Sequence, residues 1–156
     1  MKLCGWVFTC VCMSVLGASV AAAETNSVVI DGDVPAEGGF RRVKIVSGLE
    51  HPWGMTFLPD GRMLVSERPG RLRIVSPDGT VSPPVQGLPP IAAVGQGGLL
   101  GVALHPEFAE NRLVYFSFAE PGPGGQGTAV ARGVLDGNAL KDVAVIFAQK
   151  PKLSGG

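Results

Sequence analysis

Gly54-Met-Thr-Phe57-Leu58-Pro59 returns 47 residues later as Gly101-Val-Ala-Leu104-His105-Pro106. Each copy then reaches an arginine that opens an apolar run, Arg62-Met-Leu-Val in the first and Arg112-Leu-Val-Tyr in the second. That second offset is 50, which gives the later copy three extra turn residues. A period in the forties, with about four short strands in each copy, is the spacing of propeller blades. The strands are read from alternation and from the turns between them. Phe40–Ser47 alternates apolar and polar positions; Met55–Leu58, Met63–Ser66 and Leu72–Val75 follow, and Val102–Leu104, Leu113–Phe118, Ala129–Leu135 and Val143–Phe147 continue the style. Pro59-Asp60-Gly61 and Pro77-Asp78-Gly79 punctuate them, and Asp-Gly supplies the positive φ of a tight hairpin. No twelve-residue window carries a 3.6-residue stripe. The chain is expected to be all-β, a β-propeller of which residues 40–156 hold about the first two blades. A closed propeller needs at least about four blades, so an incomplete N-terminal part is expected.

The leading residues have a different character. Lys2, the apolar run Leu3–Val20 and the small residues Ala21-Ala22-Ala23 read as a signal peptide over residues 1–23, cleaved before Glu24. Residues 24–39 read as a flexible lead-in. This order predicts a periplasmic or secreted protein with no stable membrane anchor after cleavage. Cys4, Cys10 and Cys12 all lie in that signal, so neither disulfides nor thiolate chemistry is expected beyond it. Removing it takes away Lys2 alone and leaves one acid in excess, which gives a nucleic-acid partner no electrostatic support.

The absences narrow the chemistry. No P-loop, no G-x-S-x-G and no histidine pair at metal-ligand spacing occurs. Gly95-Gln96-Gly97-Gly98-Leu99-Leu100-Gly101 departs from G-x-G-x-x-G and leads into a strand, so no helix N-terminus awaits a phosphate. Asp31-Gly-Asp33 lacks the later ligands of a calcium loop. Gln96 has two readings on the residues alone. It is a solvated residue of an inter-blade crossover, or a neutral amide offering donor and acceptor to a polyhydroxylated substrate. Trp53 either lays its indole on a sugar at the propeller mouth or packs between blades. His105 takes a turn position matching Leu58 and reads as structural. Glu67-Arg68 ends a strand as a local surface ion pair of little worth, and Pro121–Gly127 reads as a flexible loop.

His51-Pro-Trp-Gly-Met-Thr-Phe-Leu-Pro-Asp-Gly61, Gly95-Gln-Gly-Gly-Leu-Leu-Gly-Val-Ala-Leu-His-Pro-Glu-Phe108 and Gly127-Thr-Ala-Val130 resemble the aldose sugar dehydrogenases that depend on pyrroloquinoline quinone (PQQ). These belong to the glucose/sorbosone dehydrogenase family. The resemblance implies a six-bladed propeller and an oxidoreductase that takes a hydride from the anomeric carbon of an aldose sugar to PQQ. It also implies a calcium ion that polarises the quinone and an external electron acceptor. It makes Gln96 the pocket glutamine that reaches toward substrate. By the same resemblance the family's catalytic base, a histidine after a Lys-Leu-Ser-Gly-like stretch, is expected just after Gly156, and the calcium and quinone ligands are expected later. The chain as it stands is therefore expected to be inactive. A calcium-dependent lactonase-type propeller and a non-catalytic periplasmic binding propeller are the competing readings. His-Phe-Gly directly after Gly156 favours the dehydrogenase over both.

Overall fold

The computed structural model describes residues 28–29 and 43–154. The expected signal peptide, most of the lead-in with Asp31-Gly-Asp33, and Phe40 to Arg42 lie outside the described residues. β1 (Val28–Val29) pairs antiparallel with β2 (Val43–Lys44). Within the described part of the strand expected over Phe40–Ser47, Val43–Lys44 forms β2 and Ile45–Ser47 lies outside any strand.

Two antiparallel sheets follow. The first has the order β3 (Pro52–Phe57), β4 (Met63–Glu67), β5 (Arg71–Val75). The second is β6 (Leu99–Leu104), β7 (Leu113–Gly122), β8 (Gly125–Asp136), β9 (Ala139–Ala148). Consecutive strands are neighbours throughout, which is the meander of a propeller blade. Both Pro-Asp-Gly turns close as the sequence predicts. The Gly61 N–H donates to the Leu58 carbonyl at 3.0 Å and the Gly79 N–H to the Ser76 carbonyl at 2.9 Å, both glycines at positive φ.

The repeat is visible in the hydrogen-bond register. β3 and β4 shift register between Pro52 and Met55, and β6 and β7 shift between Leu99 and Val102, at the same offset of 47. In the second strands, however, Met63 corresponds to Val114 and Val65 to Phe116, an offset of 51. The later copy therefore carries four extra residues rather than three, and they form a single helical turn, α1 (Phe108–Asn111), which buries Phe108. Arg62 and Arg112 are consequently not equivalent. Arg62 pairs with Asp60 in its own turn, whereas Arg112 ends the helix in the left-handed region with its guanidinium over the Phe108 ring.

The main core lies between the two sheets. Leu64, Leu72 and Ile74 from the first meet Leu99, Phe116, Phe118, Ala129 and Ala131 from the second. Alternation sends Met63, Val65 and Val75 to the other face of the first sheet, where they gather Val46, Leu49 and Val81. That sheet is thus apolar on both faces, and every residue of β4 is buried.

Ser66 shows what ties the sheets together. Its hydroxyl accepts from the Gly54 N–H at 2.9 Å and donates to the Leu100 carbonyl of the neighbouring sheet. A Cβ on Gly54 would stand 3.0 Å from that same carbonyl oxygen, so the first repeat's glycine lets the sheets approach. Ser117 repeats the local bond by accepting from the Gly101 N–H at 3.0 Å. Ser66→Ala leaves a buried donor and a buried acceptor without their partner, and should cost about 2 kcal/mol in a urea titration. A loss below about 0.5 kcal/mol would mean that water replaces the hydroxyl.

Candidate functional site

Gln96 sits at the tip of an exposed turn that enters β6. The Gly97 N–H donates to the Val94 carbonyl at 2.8 Å and closes the turn. Behind the tip, the Ala92 N–H donates to the Ala119 carbonyl and the Ala119 N–H to the Gly98 carbonyl, which stitches both ends of the turn to β7. The Arg68 Nη1 donates to the Gly95 carbonyl at 2.7 Å and to the Gly97 carbonyl at 3.2 Å, the two carbonyls on either side of Gln96. From β8, the Gln126 Nε2 donates to the Val94 carbonyl at 3.0 Å.

A cavity of about 260 Å³ opens beside this turn. Gln96, Gly97, Leu100, Gln126, Thr128 and Gln149 are among the residues that line it. Gln149 Oε1 accepts from the Thr128 N–H at 3.1 Å, and the Gln126 Oε1 is buried with no hydrogen-bond partner. The polar lining is thus amide and hydroxyl, with no titratable side chain. Leu153 closes the cavity through a two-bond bridge to Gln126, at 3.0 and 2.9 Å. Lys152 holds that segment down. Its stem crosses Gly122 and Gly127, and its ammonium pairs with Glu120.

The structure separates the two residues singled out in the sequence. Trp53 lines a different and apolar cavity of about 570 Å³ on the outer face of the first sheet, with Met55, Phe57 and Leu49. Trp53 is 57% exposed, and the two cavities share no lining residue. His105 lies in the turn that leads into α1. Its Nδ1 accepts from the Glu107 N–H at 3.0 Å and meets the Asn111 amide at 2.8 Å, with the ring stacked on Tyr115.

Two expectations need correcting. Glu67 is not a surface residue paired with Arg68. It is 1% exposed and bound by Arg71 and Arg73, because β4 is covered on both faces. Pro121–Gly127 is not a loose loop either. β7 and β8 continue their ladder through it as far as Gly122↔Gly125, leaving a two-residue turn. Gln126, Thr128, Gln149 and Arg68 were missed as site residues. Gln126 was hidden in a composition that reads as loop, and recognition of backbone carbonyls by Arg68 leaves no mark in a sequence.

The glucose/sorbosone dehydrogenase family model matches residues 49–156. The chain belongs to that family. The aldose sugar dehydrogenase YliI of Escherichia coli is 45% identical over 112 residues, which cover 69% of this chain and 30% of that protein. Among solved structures, a glucose dehydrogenase matches with a TM-score of 0.66 at 54% identity, over 69% of this chain and 32% of that one. The PQQ-bound aldose sugar dehydrogenase of Streptomyces coelicolor matches with a TM-score of 0.60 at 30% identity, over 69% and 33%. This member of the glucose/sorbosone dehydrogenase family therefore spans about a third of the length of such relatives. The two meander sheets are blades of the all-β propeller that the likeness indicates.

PQQ is a tricarboxylate and calls for cations aimed at it, and calcium calls for six to eight oxygen ligands. Among the described residues no group of three His, Cys, Asp or Glu side chains is placed to hold a metal. No cation among the described residues lines the cavity, and Lys152 and Arg68, which contact its lining residues, are held by Glu120 and by two carbonyls. The lining of this cavity is uncharged, and the described residues do not fit the quinone or its calcium.

Proposed function

We propose that the protein carrying this chain oxidises aldose sugars at the anomeric hydroxyl, with PQQ as electron acceptor, calcium beside it and an external acceptor that takes the electrons onward. Within that activity, the present residues supply part of the sugar site. Gln96 donates to or accepts from a sugar hydroxyl without committing a charge, and Thr128 and Gln149 extend the same neutral chemistry. The observation that carries the reading is this uncharged amide wall on a turn held from two elements, in a chain of the glucose/sorbosone dehydrogenase family. Export to the periplasm or beyond is proposed with it, from the signal reading of residues 1–23.

Dye reduction with an aldose, PQQ and calcium tests the activity on the full encoded polypeptide. Gln96→Ala should lower kcat/KM about 10- to 100-fold, the worth of one or two hydrogen bonds to substrate. Lactone opening without dye reduction would favour the lactonase reading instead. An unchanged kcat/KM in Gln96→Ala would remove Gln96 from the site.

A further inference from the structure

We infer that Arg68 is a positioning residue for Gln96, one that keeps the glutamine turn in its sugar-binding shape; the inference rests on the reading of Gln96 given above. Gln96 stands among Gly95, Gly97 and Gly98, and such a stretch has more backbone freedom than any other composition. Left to itself it would populate many shapes. Arg68 restricts them by taking the carbonyls on both sides of Gln96 with one guanidinium nitrogen. In a trans peptide the N–H points opposite to the C=O. Holding the Gly95 carbonyl toward Arg68 therefore turns the Gln96 N–H away from it and sets the direction of the tip.

Arg68 is well placed to be a fixed point. It directly follows the fully buried strand β4. Its N–H donates to the His51 carbonyl and its carbonyl accepts from the Leu99 N–H, both at 3.0 Å. Charge-assisted bonds to carbonyls are stronger than neutral ones, and the flat guanidinium is preorganised for more than one acceptor. Lysine, a compact and strongly hydrated charge, is a poorer substitute. When only a fraction of molecules holds the binding shape, apparent affinity falls by that fraction. Losing the clamp should therefore act on KM far more than on kcat.

The test uses the full encoded polypeptide. In steady-state oxidation with PQQ and calcium, Arg68→Met should raise KM about tenfold with kcat within about twofold of wild type, and Arg68→Lys should fall between them. Added to Gln96→Ala, Arg68→Met should change KM no further, since both act through one side chain. Without cofactor, hydrogen exchange of peptides covering residues 92–99 should speed up in Arg68→Met and be partly restored in Arg68→Lys. Wild-type KM in Arg68→Met, unchanged exchange, or full additivity in the double variant would each overturn the inference. If Arg68→Met does not fold, Arg68→Lys decides by the same three readings. A silent Gln96→Ala overturns the sugar-binding role itself, while the exchange result still decides whether Arg68 holds the turn.

Discussion

Glu67→Ala should cost about 3 kcal/mol in a urea titration. Glu67 is 1% exposed, and three interactions converge on it. Arg71 Nε donates to Oε2 at 2.7 Å, Arg73 approaches the same oxygen at 3.7 Å, the Glu50 N–H donates to Oε1, and Arg71 also reaches out to Glu50. Removing one partner of a buried ion pair leaves the others uncompensated, which costs about 3–5 kcal/mol. Arg71 and Arg73 keep part of their hydration, at 33% and 20% exposure, so the lower end is expected. A loss below about 1 kcal/mol would show that water reaches the arginines freely.

The same carboxylate makes stability depend on pH. Burial pushes its pKa up, but the hydrogen bonds from Arg71 and the Glu50 N–H, with the charges of Arg71 and Arg73, outweigh burial and hold it below the usual value. A carboxylate depressed in the folded state contributes stability that is present above its unfolded pKa, about 4.3, and lost as pH falls through the folded value. Glu67→Gln cannot titrate. Its deficit relative to wild type should be full at pH 7 and shrink steadily on acidification below about pH 4. A deficit constant down to pH 3 would contradict the assigned direction.

That residue also shows where the sequence stops being legible. Alternation and Asp-Gly turns are local signals, and they located β3 to β9 to within a few residues. The repeat of Gly54 and Gly101 is local too, and it reappears as a shared register shift. Glu67 needed a tertiary fact, that β4 is covered on both faces, which no window around Ser66-Glu67-Arg68 contains. Pro121–Gly127 failed for the opposite reason. Its glycines look like freedom, but they let Lys152 lie across the hairpin and let the ladder run on. At the candidate site, Gln96 was legible because it is a lone amide among glycines. Its neighbours Gln126, Thr128 and Gln149 come from β8 and the stretch after β9, and only the meander brings them to the same cavity.

Gly98→Ala joins the site to the fold most directly, and should cost about 2–4 kcal/mol while displacing the glutamine turn. Gly98 has φ +149°, a conformation that residues with a Cβ rarely adopt. The collision is the second cost. A Cβ there would stand 2.2 Å from the Arg68 carbonyl oxygen and 2.6 Å from Arg68 Cγ. The side chain has room to move; the carbonyl does not, because it accepts from the Leu99 N–H at the start of β6. Relief therefore means breaking that bond, or lifting the turn and losing the bond from the Ala119 N–H to the Gly98 carbonyl at 2.9 Å. Either movement pulls the Gly97 carbonyl away from Arg68 and shifts Gln96. Urea titration should report the loss of stability, and exchange over residues 92–99 should rise at denaturant concentrations where the rest of the second sheet remains protected. If stability falls but exchange there rises only with global unfolding, the turn is fixed by the fold as a whole rather than by its contact with Arg68.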